Sequence, residues 1–156
     1  MSTTIALTLG YEFDVKASAD AVYATLADVP QSTSFYPKVE KVADLGKGIF
    51  RWEMEKIGLG QFSMQTVYAS KYVGNKAKRT VVWTPVAGVG NAQVAGSWKI
   101  KAGKKSTNIV LSLQAELTLA LPALMKAVVA PLVEAEFEKM TEQYIDNLIE
   151  HFGGEV

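Results

Sequence analysis

Between Val39 and Leu119 the chain alternates runs of apolar and polar residues with glycine-containing connections of only a few residues. Alternating runs are typical of strands with one buried face, and glycines at this spacing are typical of hairpin turns. Connections this short join antiparallel neighbours, because a parallel neighbour needs a crossover of about a dozen residues or more. The pattern therefore predicts a meander of six strands: Val39 to Leu45, Gly48 to Ile57, Gln61 to Lys71, Ala77 to Val86, Ala92 to Lys101 and Thr107 to Leu119.

One more strand and two short helices are predicted before this meander. Alternation from Ile5 to Val15 predicts a long, half-buried first strand. Ser18 is then a suitable N-cap for a short helix, and Pro30 predicts its end. The aromatic segment Gln31 to Val39 predicts a second brief helix or turn.

After the meander the apolar period becomes helical, from Pro122 onward. The predicted buried stripe consists of Val129, Val133, Phe137, Met140, Tyr144 and Leu148. Pro131 predicts either a kink in the first turns or a later helix start. The fold class is therefore α+β: a seven-stranded curved antiparallel sheet wrapped around a long C-terminal helix, with two short helices between strands 1 and 2. Residues 1–156 suit a single domain.

Composition narrows the choice of partners and compartments. Sixteen basic and sixteen acidic residues cancel without forming a basic stripe, which argues against nucleic acid as a partner. The absence of cysteine excludes disulfides and favours a reducing, cytoplasmic compartment. The N-terminal alternation does not resemble a signal peptide, and no apolar run reaches the roughly 20 residues of a membrane span. We expect a soluble protein that is not membrane-spanning.

Several segments resemble the helix-grip superfamily, also called START-like, Bet v 1-like or SRPBCC. They are residues 13–23 (FDVKASADAVY), 26–29 (LADV) and 36–39 (YPKV) with Val42. Residues 96–100 (GSWKI) also resemble the penultimate strand of that superfamily. The superfamily includes START domains, Bet v 1-like plant proteins, aromatase/cyclase proteins and the coenzyme Q-binding family. The resemblance implies a hydrophobic ligand cavity between the sheet and the C-terminal helix. It leaves the ligand open, because the matching residues are structural.

The three tryptophans lie in three different predicted strands, and each has apolar neighbours on its own face. Successive side chains of a strand point to opposite faces, a rule that we call parity. It directs Trp52 inward and its neighbours Arg51 and Glu53 toward solvent. The same parity, applied to every strand and to the long helix, predicts a ligand-binding set: Tyr36, Phe50, Trp52, Met54, Phe62, Met64, Tyr68, Val81, Trp83, Val94, Trp98, Leu111, Leu113, Val133, Phe137, Met140 and Tyr144. Taken singly, each of these side chains would also serve as ordinary core. Together, aromatic and Met side chains are typical of an adaptable apolar pocket.

No catalytic set accompanies this lining. His151, the only histidine, lies in a helix C-terminal turn where it would complement the helix dipole. Ser97 and Ser112 have no neighbouring His or Asp pattern that would activate them. Hydroxyl groups that would orient a ligand are offered by Tyr11, Tyr36, Tyr68 and Tyr144. One histidine and no cysteine predict no metal site, and no motif predicts a cofactor.

Three functions remain open. The first is binding or carriage of a small hydrophobic molecule (a lipid, quinone, polyketide or aromatic compound), admitted near the short helices and the Gly88–Asn91 loop. The second is a polyketide cyclase/dehydratase-like enzyme that uses the same cavity, with a tyrosine or a carboxylate supplying proton transfer. Glu136, Glu116 or Gln65 buried and facing the cavity would favour it. The third is a module that binds a protein partner or forms a homodimer, with a filled core and an exposed apolar patch at Leu119 to Leu124.

Overall fold

A computed structural model describes residues 2–59 and 62–156 of the chain. In chain order its elements are β1 (Thr3–Val15), α1 (Ala19–Ala27), α2 (Val29–Thr33), β2 (Val39–Gly46), β3 (Ile49–Met54), β4 (Ile57–Leu59), β5 (Phe62–Met64), β6 (Val67–Asn75), β7 (Thr80–Pro85), β8 (Ala92–Ala102), β9 (Thr107–Leu119), a 3-10 turn (Ala123–Met125) and α3 (Lys126–His151). Within these residues, seven strands form one antiparallel sheet in the order β1-β9-β8-β7-β6-β3-β2. The predicted α+β fold class is confirmed.

Two of the predicted strands are each broken into two pieces. The runs Gly48 to Ile57 and Gln61 to Lys71 leave the main sheet part-way, and their ends form the separate hairpin β4–β5. At the break the Gln65 side chain donates to the Met54 carbonyl at 2.9 Å. This carbonyl therefore accepts a hydrogen bond from a side chain, where a regular strand would offer a backbone N–H. Gly60 and Gln61, in the predicted turn and strand, lie outside the described residues.

The helix boundaries between β1 and β2 depend on two caps. The Ser18 hydroxyl accepts the Ala21 N–H at 3.2 Å, as the sequence predicts. The second helix begins earlier than predicted, because the Asp28 carboxylate accepts the Gln31 N–H at 3.2 Å. Pro30 therefore lies in the first turn of α2, where no N–H is needed, instead of only ending α1. Tyr36 follows α2 in the turn that leads to β2.

Helix α3 runs through Pro131 and starts before it. Proline lacks an N–H, so the Ala127 carbonyl loses its helical partner; Pro131 is exposed and lies in the second turn of α3. The buried face of α3 consists of Val129, Val133, Met140, Thr141, Tyr144, Ile145 and Leu148. This face contains the residues of the predicted stripe except Phe137, which is half-buried.

Helix α3 covers the inner face of the sheet through two separate packed regions. The first core cluster contains the C-terminal half of α3, α1 and parts of β1, β7, β8 and β9, with Phe13, Val15, Ala19, Val22, Leu26, Val81, Trp83, Trp98, Ile100, Ile109, Leu111, Tyr144, Ile145, Leu148 and Phe152. The second core cluster contains the N-terminal half of α3 and the other end of the sheet, with Ile5, Leu7, Trp52, Met54, Ile57, Met64, Tyr68, Ala92, Leu117, Leu119, Val129, Val133 and Met140. Tyr36 and Val94 contact both clusters.

Candidate functional site

A partly enclosed cavity of about 90 Å³ lies where the two core clusters meet. Strands, both short helices and α3 contribute to its wall. The lining residues are Leu7, Leu9, Leu26, Val29, Ser32, Thr33, Tyr36, Trp52, Met54, Thr66, Tyr68, Tyr72, Trp83, Val94, Trp98, Leu111, Leu113, Ala115, Leu117, Phe137, Thr141 and Tyr144. The cavity is therefore a gap between two well-packed regions and not an extension of either.

The structure brings many of the predicted ligand-binding residues together on this wall. They are Tyr36, Trp52, Met54, Tyr68, Trp83, Val94, Trp98, Leu111, Leu113, Phe137 and Tyr144. The others pack in the core away from the lining: Val81 in the first core cluster, and Met64, Val133, Met140, Phe50 and Phe62 in or against the second. Parity selects the inner face correctly, but it does not say which inner residues border the gap.

Sequence reasoning did not single out the lining residues of α1, α2 and β1, nor Tyr72. Ser32 and Thr33 are small polar residues of a short helix, and nothing in their pattern marks them as cavity residues. Tyr72 shares a face with Tyr68 four residues earlier, which was a usable signal. It was missed because the predicted strand ended at Lys71, whereas β6 continues to Asn75.

A continuous belt of aromatic rings surrounds the cavity. We call this set the aromatic belt: Tyr36, Trp52, Tyr68, Tyr72, Trp83, Trp98 and Tyr144. Ring centroids are separated by 5.5 Å (Trp52–Tyr68), 5.9 Å (Tyr36–Trp52), 4.9 Å (Tyr36–Tyr144), 6.0 Å (Trp98–Tyr144), 6.5 Å (Trp83–Trp98) and 5.5 Å (Tyr72–Trp83). These separations are typical of interacting rings, which prefer offset or edge-to-face contacts. The belt offers an entering molecule both ring faces and ring edges.

Some polar groups of the wall are paired with one another. The Ser32 and Tyr144 hydroxyls form a hydrogen bond that ties α2 to α3. The Tyr36 hydroxyl lies 3.1 Å from Thr141 Oγ1, a second tie to the same helix. These four hydroxyls thus provide hydrogen-bond partners for one another, and they hold α2 and the turn after it against α3.

Two other polar atoms of the wall are buried without a hydrogen-bond partner among the residues that the structure describes. They are Trp52 Nε1 and Thr33 Oγ1. Burial raises the pKa of Tyr72 and the nearby Trp52 side chain opposes this rise, but Trp52 Nε1 and the Tyr72 hydroxyl do not meet hydrogen-bond geometry. Buried polar atoms without a partner are uncommon in folded proteins, because each costs about 1–3 kcal/mol.

Within residues 2–59 and 62–156, the cavity lining contains no Asp, Glu, Lys, Arg or His. Its ionisable groups are tyrosines, and burial raises their pKa. Burial raises the pKa of Tyr36 to about 12, against a smaller lowering by the Thr141 hydrogen bond. Burial also raises the pKa of Tyr68, Tyr72 and Tyr144 well above 10. At neutral pH the cavity wall is therefore uncharged.

These tyrosines predict alkaline unfolding. In the unfolded chain tyrosine ionises near pH 10, whereas Tyr36 in the folded protein stays protonated up to about pH 12. The free energy of unfolding should be independent of these groups below pH 10 and fall as the pH rises from 10 through the raised pKa, by up to about 1.4 kcal/mol per pH unit for each tyrosine. Urea denaturation at pH 9, 10 and 11 measures the slope, and Tyr36→Phe should make it shallower. Equal stability at pH 9 and 11 would contradict the raised pKa values.

The groups that sequence reasoning considered for catalysis lie away from the cavity lining. His151 stacks against Phe35, with ring centroids 4.8 Å apart. Glu136 forms an ion pair with Lys38 at 2.8 Å, and Glu116 is exposed on the outer face of the sheet. Ser97 and Ser112 pair across β8 and β9, and Gln65 binds the Met54 carbonyl. None of these groups supplies an acid or base to the aromatic belt.

The Gly88–Asn91 loop does not line the cavity. It borders a separate polar depression on the outer face, with Glu116 and Thr118. The Asn91 side chain fixes the loop by donating to the Gln65 carbonyl at 2.8 Å and accepting the Val67 N–H at 2.9 Å. The short helices, in contrast, contribute directly to the cavity wall.

In the described part of the chain, no three His, Cys, Asp or Glu side chains form a group that could hold a metal ion. No helix in residues 2–59 or 62–156 is both long enough and apolar enough to cross a membrane.

A curved antiparallel sheet with a long C-terminal helix and a cavity between them defines the helix-grip, START/Bet v 1-like class, which confirms the resemblance seen in the sequence. The chain belongs to the polyketide cyclase/dehydrase and lipid transport family, which it matches over residues 7–152. No curated protein matches the chain in sequence.

Solved structures show the same fold at low sequence identity. An aromatase/cyclase from Streptomyces sp. R1128 is 18% identical, with a TM-score of 0.71 over 95% of this chain and 94% of that chain. A START superfamily protein from Mycobacterium smegmatis is 17% identical, with a TM-score of 0.65 over 92% and 97%. Norcoclaurine synthase from Thalictrum flavum, a point mutant with a transition-state analogue, is 18% identical, with a TM-score of 0.59 over 96% and 97%. Identities this low establish the shared fold only.

Proposed function

We propose that this protein binds and carries a small hydrophobic molecule in the cavity between the sheet and α3. The observation that carries the proposal is the uncharged aromatic belt around a gap between two packed core clusters. Burial of apolar ligand surface drives binding and contributes roughly 25 cal/mol per Å². The family match supports the proposal, since lipid transport is among the activities for which the family is named.

The size of the cavity limits the ligand. At about 90 Å³ it is smaller than the roughly 300–1,000 Å³ of common ligand sites and nearer to an engineered cavity of about 150 Å³ that binds benzene. In this conformation it accommodates about one ring. A larger ligand requires α3 or the half-buried side chains Leu9 and Phe137 to move outward.

A polyketide cyclase/dehydratase-like reaction is the second candidate. The family name and the aromatase/cyclase neighbour favour it. Proton transfer at neutral pH works best with a group whose pKa is near 7. In the cavity lining of the described residues the ionisable groups are tyrosines, and burial raises the pKa of Tyr36 to about 12. Because these tyrosines are poor bases at neutral pH, carriage ranks above catalysis.

The third candidate, a protein-binding module, is favoured by an exposed apolar stripe at the start of α3. Leu124, Val128 and Leu132 are all exposed and follow one another at helical spacing. The patch differs from the predicted segment Leu119 to Leu124, because Leu119 is buried in the second core cluster. A cavity in the core does not match the filled core that this candidate predicts.

The direct test is to identify what the purified protein carries. We expect denaturation to release a neutral apolar molecule in stoichiometric amount, detected by mass spectrometry against a mock purification. The stripped protein should bind small aromatic compounds, reported by tryptophan fluorescence, because all three tryptophans line the cavity. An empty extract together with no binding by the stripped protein would refute carriage.

Filling the cavity should abolish this binding without unfolding the protein. Ala115 is half-buried and lines the cavity, so Ala115→Phe places a ring in the gap. We expect at least about a tenfold loss of ligand affinity, with the far-ultraviolet circular dichroism unchanged. Ala6→Phe is the matched control, because Ala6 is exposed on the neighbouring strand. Equal affinity in both variants would mean that the ligand binds elsewhere.

A further inference from the structure

Trp52 lines the cavity and carries a buried hydrogen-bond donor. Its side chain is 7% exposed, and β3 holds it opposite Tyr68 on β6, where the two rings stack at an interplanar angle of 17°. The stack fixes the plane of the indole, so Nε1 cannot turn to another acceptor without breaking the contact. An indole N–H only donates, and this one has no acceptor in hydrogen-bond geometry among the residues described, although the Tyr72 hydroxyl lies close to it.

Thr33, a lining residue in α2, carries a second unpartnered polar group. It is 5% exposed at the end of α2, and its Oγ1 both donates and accepts. Thr141, also buried in the wall, differs because its hydroxyl pairs with Tyr36. Among the described residues, Trp52 Nε1 and Thr33 Oγ1 are the buried side-chain polar atoms without a hydrogen-bond partner.

The charge of the wall limits what these atoms can bind. Trp52 Nε1 and Thr33 Oγ1 are neutral donors, and no cation lines the cavity within the described ranges. A carboxylate would lose its hydration and gain no opposite charge, which is far more costly than burying a carbonyl. The acceptor that suits this wall is an uncharged oxygen.

We infer that the cavity selects an uncharged aromatic molecule carrying a carbonyl-type oxygen, that Trp52 Nε1 donates a hydrogen bond to this oxygen, and that Thr33 gives a second polar contact. The inference rests on the proposed function and narrows its ligand class. Aromatic rings of the ligand contact the belt, and the oxygen satisfies a donor that the protein itself leaves unpaired. Carboxylates of the same shape, such as aromatic or fatty acids, are rejected.

Three probes of nearly one shape test the inference on the full chain. They are acetophenone, α-methylstyrene, in which a CH₂ group replaces the carbonyl oxygen, and benzoate. Titrations followed by ¹⁵N–¹H NMR give the affinity of each probe and report the indole N–H signals directly. We expect acetophenone to shift the Trp52 indole signal downfield and α-methylstyrene to leave it nearly unchanged. Benzoate should bind at least about a hundredfold more weakly than acetophenone at pH 7.

Trp52→Phe keeps an aromatic ring and removes the donor. Because the two neutral probes differ in hydrophobicity, the informative quantity is their affinity ratio. We expect Trp52→Phe to lower the ratio of acetophenone to α-methylstyrene affinity by about five- to tenfold, the value of one neutral hydrogen bond. An unchanged ratio, an unshifted indole signal or preferred binding of benzoate overturns the inference and leaves carriage intact. Binding of none of the probes by the wild-type protein overturns both.

Thr33→Val gives a second test that does not depend on the folding of Trp52→Phe. This change removes an unpartnered hydroxyl at nearly constant volume, so it should raise the melting temperature of the ligand-free protein and lower the same affinity ratio. Thr141→Val is the matched control, because it leaves the Tyr36 hydroxyl without its partner and should lower the melting temperature. A lower melting temperature for Thr33→Val as well would show that its hydroxyl is already satisfied, which contradicts its assigned role.

Discussion

Gly96→Ala is expected to destabilise the protein by about 3 kcal/mol. A Cβ at Gly96 would overlap the Ser112 carbonyl oxygen and lie 2.5 Å from Cζ2 of Trp83. The carbonyl belongs to the β8–β9 ladder and cannot rotate away, and Trp83 is held by its contacts with Trp98 and Tyr72. Urea denaturation measured against wild type gives the change in the free energy of unfolding.

Gly10→Ala is the matched control for this glycine. Gly10 also lies in a strand of the main sheet, but the nearest atom to an added Cβ is the Leu111 carbonyl oxygen at an ordinary 3.9 Å. We expect its stability to stay within about 0.5–1 kcal/mol of wild type. If Gly96→Ala were no less stable than Gly10→Ala, Trp83 would not pack against the backbone of β8 as described.

Leu148→Ala is expected to cost between about 2 and 5 kcal/mol. Leu148 is fully buried in the first core cluster, where it joins the C-terminal half of α3 to the sheet. Truncation removes apolar contacts and leaves a void that α3 cannot close, because Tyr144 and Phe152 pack on either side of it along the helix. Chemical denaturation should show a lower midpoint with an unchanged m-value.

Leu124→Ala is the control for this truncation, since the same atoms are removed from a side chain that is 90% exposed. Its effect should stay within about 0.5 kcal/mol. Similar losses in the two variants would mean that α3 does not pack through its C-terminal half.

The sheet was predictable because the sequence patterns that specify it are local. Alternation identifies each strand, and short glycine-containing connections force antiparallel neighbours, so the order of β6, β7, β8 and β9 follows from the sequence. The hairpin β4–β5 was not predictable, because it depends on the Gln65 side chain reaching the Met54 carbonyl eleven residues away. The register of β1 against β9 is equally non-local.

The wall of the cavity was predictable only in part, for a different reason. Parity places Trp52, Trp83 and Trp98 on the inner face, where the structure has them. Val81 and Val133 share that face but fill the two core clusters, because a gap arises where packing from both sides stops. Whether Trp52 Nε1 has a hydrogen-bond partner depends on which side chains the fold brings next to it, and the residue pattern along the sequence does not carry that information.

The pairing of β1 with β9 also determines when the cavity forms. The ladder joins Thr3 to Leu119 and Val15 to Thr107, partners on the order of a hundred residues apart. During synthesis β1 therefore leaves the ribosome long before its partner, with the apolar side chains Ile5 and Leu7 still uncovered. Leu7 faces the cavity together with side chains of β9 and α3, so a nascent chain has no cavity until its final helix has been released.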